Sequence, residues 1–337
     1  MRKLNILFRI SGGQAPGKEL GNGHVFRSMN LAYFFKDQNI WFLLEDFGGG
    51  GKILNQNGFK NIIKLKKGIS LESDIKHSVN IIKNKKIDVL INDSYLAKNE
   101  YLKNMKNHVK TVLVTDLKKY NYSADLIVNG FIGFKNKKII SSNGKITLLG
   151  PKFQILNHQF AIKNKIIKKN DLLVTFGGFD EKNITEIFLE EISKFNGHIK
   201  TKIVHGRSSK KTEKIKKLLK KNSKNVSMVS SADMFKEISN SKFGLCSGGI
   251  TTYEFAALGV PFAIISQVKH QTITAKIWGK KRIGTDFGLY NKNIRKRIQN
   301  YLTIINSNLY TKKIKNSKIV DGHGGKRVSS EIMKIVE

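Results

Sequence analysis

One short segment of the sequence places a titratable side chain inside a glycine-rich turn: Gly21-Asn22-Gly23-His24-Val25-Phe26-Arg27. It lies after the apolar run Leu4 to Phe8 and before an amphipathic stretch, which predicts a strand, a turn and a helix. Glycines let the backbone approach a ligand closely, and the first amides of a helix attract an anionic group. Because His24 lies in the turn itself, we expect its imidazole to face that ligand.

Two further glycine-rich turns follow predicted strands in the second half of the chain. Thr175-Phe176-Gly177-Gly178 precedes a helix-like run, and Cys246-Ser247-Gly248-Gly249 leads into Ile250-Thr251-Thr252-Tyr253-Glu254. At the second turn, the N-terminal amides of the helix are predicted to be open to a diphosphate. Glu254, one turn inside, could accept hydrogen bonds from ribose hydroxyls or could only complement the helix dipole. The polar loop that ends at Gln271 follows the next predicted strand.

Short, nearly all-apolar strands recur along the chain, with amphipathic stretches between most of them. This alternation predicts parallel sheets covered on both faces, and therefore an α/β protein. It restarts after a looser stretch, so we predict two doubly wound, Rossmann-like domains over residues 1–155 and 156–337, facing each other across a cleft. The predicted strands are 4–8, 40–44, 61–65, 88–91, 111–115, 125–128, 172–175, 202–204, 226–229, 243–246 and 262–265.

The composition of the 337 residues narrows the class of protein. The single cysteine, Cys246, excludes an internal disulfide framework and indicates a reducing compartment. No apolar stretch approaches the ~18 residues that a membrane span needs. The N-terminus enters a strand-like segment at once, without the pattern of a signal peptide. These features predict a cytoplasmic protein without stable membrane insertion, which we expect to be a monomer.

The formal net charge of +36, from 61 Lys and Arg against 25 Asp and Glu, is the signature of many nucleic-acid-binding proteins. Here, however, the lysines are spread over nearly every predicted helix and accompany much asparagine and isoleucine, as AT-rich coding produces. The densest run, 210–224, also has apolar residues at helical spacing, which is typical of a solvated helix face. We therefore predict no nucleic-acid partner, and expect the positive field to favour an anionic small substrate.

The common cofactor motifs do not occur. No Gly-Lys-Ser/Thr follows any of the glycine turns, and Phe26 occupies the last glycine position of a dinucleotide fingerprint. The sequence also has no Asp-x-Asp, Cys-x-x-Cys or His-Glu-x-x-His segment, so it gives little support to a metal site. We predict neither a metal nor another cofactor.

Segments spread over nearly the whole chain resemble those of the UDP-sugar hydrolases of pseudaminic acid biosynthesis. That group includes spore-coat polysaccharide proteins and is related to the MurG-type glycosyltransferases of GT-B fold. The segments that carry the resemblance are Gly21–Arg27, Asn92-Asp93-Ser94-Tyr95, Thr115-Asp116-Leu117, Gly150-Pro151-Lys152-Phe153, Gly177-Gly178, Ser247–Glu254 and Asp321–Val328.

The resemblance implies the GT-B fold and a metal-independent hydrolysis of a UDP-linked diacetamido-trideoxy hexose at its anomeric carbon, with release of UDP. It implies that His24 is the general base that activates water. Residues at matching positions on the sugar side are Gly21, Gly23, Arg27, Asp93, Tyr95 and Asp116. Those on the nucleotide side are Gly177, Gly178, Ser247, Gly248, Gly249, Thr251, Glu254 and Gln271. Ser11 replaces a family aspartate near the sugar side, so the sugar could differ from that of the family.

The residues by themselves leave several alternatives open. His24 could be a helix-start residue bonded to backbone, Asp93 and Asp116 could cap helices, and Arg27 could only cross-link its own helix. A GT-B glycosyltransferase would place an acceptor hydroxyl where a hydrolase holds water, and such an enzyme could contact anionic lipid peripherally. A non-catalytic protein would bind UDP without turning over a UDP-sugar.

Overall fold

Strands and helices alternate along the chain in the way that the apolar runs predict. The computed structural model describes residues 2–13, 21–94, 99–116, 121–162, 168–178, 180–206, 209, 211–230, 232–307 and 319–337. The chain forms two compact units: unit 1 comprises Met1–His158 and Gly322–Glu337, and unit 2 comprises Gln159–Asp321.

Unit 1 is built on one sheet of eight strands. Its strands are β1 (Asn5–Gly12), β2 (Asn39–Asp46), β3 (Ile62–Leu65), β4 (Val89–Asp93), β5 (Lys110–Thr115), β6 (Leu126–Asn129), β7 (Lys137–Ile140) and β8 (Ile146–Leu149). Its helices are α1 (Gly23–Ala32), α2 (Gly50–Gln56), α3 (Leu71–Asn84), α4 (Asn99–Lys106) and α11 (Gly324–Val336). The strand order is β3-β2-β1-β4-β5-β6-β8-β7, and all neighbours are parallel except β7 and β8.

Unit 2 is built on a parallel sheet of six strands. Its strands are β9 (Asn170–Thr175), β10 (Thr201–Val204), β11 (Val226–Val229), β12 (Ser241–Cys246), β13 (Phe262–Ser266) and β14 (Gly284–Leu289). Its helices are α5 (Ile184–Lys194), α6 (Glu213–Lys221), α7 (Met234–Ser239), α8 (Thr251–Ala257), α9 (Gln271–Lys280) and α10 (Ile294–Asn306). The strand order is β11-β10-β9-β12-β13-β14.

The central strands of each sheet are buried on both faces, which explains why they are apolar at consecutive positions. In β1, Ile6, Phe8 and Ile10 belong to a core shared with α1, α2 and α11, whereas Leu7 faces a second core formed with α3 and α4. Unit 2 has its own core around β9 and α5. The predicted class, two Rossmann-like α/β domains with parallel sheets, is confirmed. Among the described residues, no helix is both long enough and apolar enough to cross a lipid bilayer.

The last helix of the chain lies in a different unit from the one that the sequence predicts. We predict residues 156–337 as one domain, but α11 packs in unit 1, where Val328 and Ile332 are fully buried. The helix begins very close to an earlier part of unit 1, since a Cβ on Gly324 would lie 2.0 Å from the carbonyl oxygen of Gln154. The apolar stripe of α11 therefore completes the core of unit 1, and unit 2 ends at Asp321.

Three strands lie where the sequence predicts none. β7 and β8 form an antiparallel hairpin in the stretch that we interpret as loose, and β14 lies at the edge of the second sheet. β7 is largely exposed and β14 contains two glycines, Gly284 and Gly288, so neither has the run of buried apolar residues typical of a central strand.

Candidate functional site

The strand order of unit 1 reverses between β1 and β4. From β1 the chain continues to β2 and β3 on one side, and it then returns to β4 on the other side. In open α/β sheets, ligands bind outside the carboxyl ends of the strands at such a point. Ile10 of β1 lies opposite Asp93 of β4. The carboxylate of Asp93 therefore ends its strand beside the end of β1.

α1 begins in the predicted glycine-rich turn and packs closely against β1. A Cβ on Gly12 would lie 2.3 Å from Cγ2 of Val25, so this packing requires glycine at the end of β1. His24, Arg27 and Ser28 follow at helical spacings of three and four residues, which places them on one face. No side chain among the described residues caps the N-terminus of α1, and its first turn contains no acidic residue.

That face of α1 holds the carboxylate of Asp93 from several sides. Nδ1 of His24 lies 2.6 Å from Oδ1 of Asp93. Arg27 donates from Nη2 to the same oxygen at 2.6 Å and from Nε to Oδ2 at 2.7 Å, which makes the ion pair bidentate. Oγ of Ser28 lies 3.4 Å from Oδ2. Asp93 is 1% exposed, whereas the side chain of His24 is 23% exposed, so the imidazole is not sealed in the core.

The electrostatics of this cluster fix the roles of its members. Burial alone would raise the pKa of Asp93, but the charge of Arg27, reinforced by His24, outweighs it and holds that pKa well below its usual range. Burial alone would lower the pKa of Arg27, but the carboxylates of Asp93 and Asp116 outweigh this effect and raise that pKa above its usual value. Nη2 of Arg27 also lies 3.2 Å from Nδ1 of His24, but the contact with Asp93 is shorter, at 2.6 Å. Because an ionised carboxylate can only accept, this shorter contact is one in which Nδ1 donates to Asp93. The lone pair of the neutral ring is then on Nε2, where it can accept a proton.

Asp116, just after β5, also joins the cluster. Nη1 of Arg27 donates to its Oδ2 at 3.1 Å, although the side chain of Asp116 is 59% exposed. The cluster thus unites four predicted site residues, His24, Arg27, Asp93 and Asp116. Tyr95, the fifth polar residue predicted on the sugar side, lies outside the described residues. No group of three or more His, Cys, Asp or Glu side chains in the described ranges is arranged to hold a metal ion.

The predicted glycines of the turn, Gly21 and Gly23, have open space in front of them. No heavy atom of the described residues lies within 4 Å of the Cβ position of either one. Neither has the positive φ that would require glycine for conformational reasons. Packing within unit 1 therefore does not explain these two glycines, in contrast to Gly12.

Ser11, where the resembled hydrolases have an aspartate, lies in a buried polar network. Arg9 is 1% exposed and donates to Asp74 with its Nη2 2.8 Å from Oδ2. Ser11 is fully buried and donates from Oγ to Oε2 of Glu45 at 3.1 Å, and the other oxygen of Glu45 accepts from the amide of Gly68. An aspartate at position 11 would add a carboxylate against Glu45. Serine supplies a donor there instead, which suits the buried acid.

A second glycine-rich turn of unit 1 has a different arrangement. β2 ends at Asp46, whose carboxylate accepts hydrogen bonds at 3.0 Å from the amides of Gly48, Gly50 and Gly51. These amides include the start of α2. The N-terminus of α2 is therefore already filled by an anionic group of the protein itself.

In unit 2 the strand order reverses between β9 and β12. Gly177 follows β9 with a φ of +81°, which requires glycine, and its Cβ position lies 3.8 Å from Oγ of Ser247 after β12. The structure thus brings the two glycine-rich turns predicted in the second half together at the carboxyl edge of one sheet. Within the part of the chain that the structure describes, no heavy atom lies within 4 Å of the Cβ positions of Gly178 and Gly249.

The two helices that follow these turns begin differently. Asp180 fills the N-terminus of α5 by accepting from the amides of Ile184 at 2.9 Å and Thr185 at 2.7 Å. At α8 no side chain of the described ranges makes a capping hydrogen bond. At the Gly177-Gly178 turn, the first amides of α5 are therefore already occupied by Asp180, and a ligand could contact only the amides of the turn itself. At the Ser247-Gly248-Gly249 turn, no described carboxylate occupies the first amides of α8.

Glu254, in the first turn of α8, has an altered acidity. Burial and the nearby charge of Asp233 raise its pKa to about 7, although a hydrogen bond with Thr251 acts in the opposite direction. Near neutral pH the carboxyl group can therefore both donate and accept hydrogen bonds. This is a stronger reason to single out Glu254 than its position at a helix N-terminus.

The other predicted nucleotide-side residues have structural contacts of their own. A Cβ on Gly248 would lie 2.8 Å from Cβ of Gln271, so glycine is required where α9 approaches the turn. Oε1 of Gln271 accepts from the amide of Gln267 at 2.9 Å. Thr251 is partly exposed at the start of α8.

One polar residue at this edge was not among the functional residues predicted from the sequence. His205 directly follows β10 and is 3% exposed, and its Nδ1 is buried without a hydrogen-bond partner within the described ranges. The sequence feature that could have indicated it is its position, one residue after an apolar strand and one residue before a glycine.

Comparison with known proteins gives relatives of low identity. No family model matches the chain. It is 28% identical over 267 residues to an uncharacterized protein of Methanocaldococcus jannaschii, a match that covers 74% of this chain and 54% of that protein, so the chain spans about half of that relative's length. It is also 28% identical over 286 residues to the spore coat polysaccharide biosynthesis protein SpsG of Bacillus subtilis, over 81% of each protein.

Solved structures with a similar fold cover nearly the whole chain. The crystal structure of Acinetobacter baumannii MurG matches with a TM-score of 0.67 at 14% identity, over 98% of this chain and 99% of that one. The co-structure of S. aureus MnaA with UDP matches with a TM-score of 0.63 at 11% identity, over 99% and 97% of the two chains. The predicted GT-B fold is confirmed by these likenesses.

Proposed function

We propose that this chain acts on a UDP-linked sugar and hydrolyses it at the anomeric carbon, releasing UDP and free sugar. The glycine turns of unit 2 take the nucleotide, and the cluster around His24 in unit 1 supplies the base. Support comes from the similarity to SpsG, a polysaccharide biosynthesis protein, and from the GT-B fold shared with MnaA, which has been solved with UDP.

The observation that carries the proposal is the 2.6 Å contact between Nδ1 of His24 and the buried, ionised Asp93. A histidine held in one tautomer by a carboxylate is the arrangement that positions Nε2 as a general base. Arg27 keeps Asp93 charged, so the carboxylate stabilises the imidazolium that forms when His24 takes a proton. A histidine that served only to start a helix would not require a buried bidentate ion pair behind it.

The proposed reaction needs few further groups. Nε2 of His24 takes a proton from water as the water oxygen forms a bond to the anomeric carbon. The bond between that carbon and the diphosphate oxygen breaks, and UDP leaves with the bonding electrons. Backbone amides of the glycine turns stabilise the departing charge without a metal. For the sugar we propose a diacetamido-trideoxy hexose, on the strength of the motif resemblance.

Transfer to an acceptor is the second candidate, and the likeness to MurG favours it. The same base would then take its proton from an acceptor hydroxyl, so the geometry around His24 is compatible with both reactions. What separates the two candidates is the need for an acceptor.

The test is to incubate the full chain in ¹⁸O-water with UDP-linked diacetamido-trideoxy hexoses and UDP-N-acetylglucosamine, without an acceptor. We expect free sugar and UDP, with the UDP unlabelled because the bond from carbon to oxygen breaks. Labelled UDP, as judged by mass spectrometry, would mean attack at phosphorus and would exclude His24 from the proposed role. Release of UDP only after addition of an acceptor would support transfer.

A further inference from the structure

Unit 1 has a cavity of its own beside the last helix of the chain. Its volume is about 480 Å³, which is in the usual range for sites of small organic ligands. From α11 and the residue before it, the lining residues are His323, Lys326, Arg327, Ser330 and Glu331. The other lining residues are Lys138 of β7, Leu148 of β8 and Phe153, which follows β8. All of them belong to unit 1.

α11 lines this cavity with a different face from the one that it packs into the core. Its lining residues recur at spacings of three and four, which places them on one side of the helix. Val328 and Ile332, between them in sequence, are fully buried in the core of unit 1. The segment Asp321–Val328 carries part of the motif resemblance but has no role in the proposed reaction, and this cavity is where its polar side chains lie.

Packing explains only part of that segment. A Cβ on Gly324 would lie 2.0 Å from the carbonyl oxygen of Gln154, and one on Gly325 would lie 2.4 Å from Cε2 of Phe34. Nη1 of Arg327 donates to the carbonyl oxygen of Lys152 at 3.0 Å. These contacts hold α11 against the rest of unit 1. The side chain of Lys326 takes no part in them and is exposed, so packing does not explain a second basic residue beside Arg327.

The charges around the cavity leave it positive. Glu331 is the one carboxylate among the lining residues, and it accepts from Nζ of Lys138 at 2.6 Å and from Nζ of Lys334 at 3.1 Å. Burial alone would raise the pKa of Glu331, but these two lysines outweigh it and hold that pKa below its usual range. Glu331 is therefore ionised and already neutralised, and the positive charges of Lys326 and Arg327 remain.

We propose that this cavity binds a small organic phosphate, with the phosphate on Lys326 and Arg327 and the organic part against Leu148 and Phe153. Ammonium and guanidinium groups form strong, charge-assisted hydrogen bonds with phosphate. A phosphate monoester carries a charge of about −1.5 to −2 at pH 7, which matches two cations. Leu148 and Phe153 supply apolar surface that an inorganic ion would not use. The site shares no residue with the cluster around His24 or with the glycine turns of unit 2, so it does not depend on the proposed function.

The test uses nuclear magnetic resonance of the full chain labelled with ¹⁵N-glycine, and phenyl phosphate as the probe. Gly324 and Gly325 report on this cavity, whereas Gly177, Gly178 and Gly249 report on the turns of unit 2. We expect phenyl phosphate to shift the amide signals of Gly324 and Gly325 in a saturable way. Inorganic phosphate lacks the apolar part and benzoate lacks the second negative charge, so each is expected to bind there about fivefold more weakly or less.

Lys326→Ala is the variant that tests the phosphate contact. We expect it to weaken the binding of phenyl phosphate, followed at Gly324 and Gly325, by about fivefold. Its midpoint of thermal unfolding should not change, since the side chain is exposed. The matched control is Lys83→Ala, which removes the same charge from an exposed position of α3, a helix that packs on the other core of unit 1. The control is expected to bind like the unsubstituted chain.

Three results would overturn the inference and leave the proposed function untouched. Shifts confined to Gly177, Gly178 and Gly249 would assign the probe to the turns of unit 2 alone. Equal affinities of Lys326→Ala and Lys83→Ala would mean that Lys326 makes no specific contact. Equal binding of phenyl phosphate and either inorganic phosphate or benzoate would mean that the cavity does not select an organic phosphate.

Discussion

The two glycine-rich turns of unit 1 lead into helices whose N-termini are in opposite states. At α2, the carboxylate of Asp46 already accepts hydrogen bonds from the first amides. At α1, no side chain among the described residues caps the helix, and His24 stands there beside the pair of Arg27 and Asp93. A glycine turn before a helix is therefore not sufficient to indicate a ligand site. The informative difference is whether the protein fills the N-terminus with its own acid.

Unit 2 repeats this contrast. Asp180 fills the start of α5, whereas α8 begins without a capping side chain among the residues described and carries Glu254, whose pKa is raised to about 7. In each unit, the amides of the helix after one glycine turn donate hydrogen bonds to an aspartate, Asp46 or Asp180, and we call this turn closed. After the other turn, which we call open, no described aspartate accepts from the helix amides, and the helix carries His24 in unit 1 or Glu254 in unit 2. The following predictions test whether the closed and open turns differ in function as well as in structure.

The largest expected effect is that of His24→Ala at the open turn of unit 1. Loss of the general base should lower turnover of the UDP-sugar by about 10²–10⁴-fold. UDP affinity should change little, because the nucleotide contacts are proposed to lie in unit 2. The measurement is a UDP-release assay beside calorimetry with UDP. The exposed His77, on α3, gives the matched control His77→Ala, and near-normal hydrolysis by His24→Ala would remove this residue from the mechanism.

Asp93→Asn should affect both turnover and stability. The amide can turn its NH2 group toward Nδ1, so it no longer enforces one tautomer of His24. Among the described residues, it leaves the buried Arg27 with only the exposed Asp116 as a charged partner. We expect the free energy of unfolding to fall by about 3–5 kcal/mol, as when one member of a buried ion pair is removed. Asp116→Asn is the control, with a loss below ~1 kcal/mol expected at that exposed site. Equal losses in the two variants, measured by urea denaturation, would contradict the assigned burial of the charge.

The closed turns should matter for stability alone. Asp46→Ala and Asp180→Ala each remove a carboxylate from a helix N-terminus, and we expect each to cost about 1–2 kcal/mol of unfolding free energy. Asp233 caps α7 through a single, longer contact of 3.3 Å, so Asp233→Ala should cost less. A loss of UDP affinity in Asp46→Ala larger than its loss of stability explains would break the distinction between closed and open turns.

The smallest effect is a dependence on pH at the open turn of unit 2. Since the pKa of Glu254 is raised from 4.5 to about 7, the folded state favours its protonated form. The contribution to stability is thus full below about pH 4.5 and is lost as the pH rises through 7. Glu254→Gln removes this dependence, so its thermal midpoint relative to the unsubstituted chain should rise by about 2–4 °C between pH 5 and pH 8. A constant difference across this range would argue against the raised pKa.

The fold could be predicted from the sequence wherever apolar residues run along a strand, but not where polar residues are buried. β1 is predicted to end at Phe8, yet it continues to Gly12, because Arg9 and Ser11 are paired with acids from α3 and β2. Such pairing depends on partners far along the chain, and no local pattern contains it. The hairpin of β7 and β8 escapes prediction for the opposite reason, since its first strand buries little.

The candidate site could be predicted as a set of residues but not as an arrangement. The motifs single out His24, Arg27, Asp93 and Asp116, while the structure adds that Arg27 binds both acids and that Asp93 also binds His24. His205 could not be found, because a buried nitrogen without a hydrogen-bond partner among the described residues becomes visible only in the folded structure.

The return of α11 to unit 1 has a consequence for how this protein is made. Val328 and Ile332 are part of the first unit's core, yet the ribosome synthesises them only after the whole of unit 2. The nascent first unit must therefore wait with an uncovered apolar groove while the second is translated. Premature termination just before Gly322 would release a chain in which that groove is never covered, an obvious substrate for chaperones and proteases.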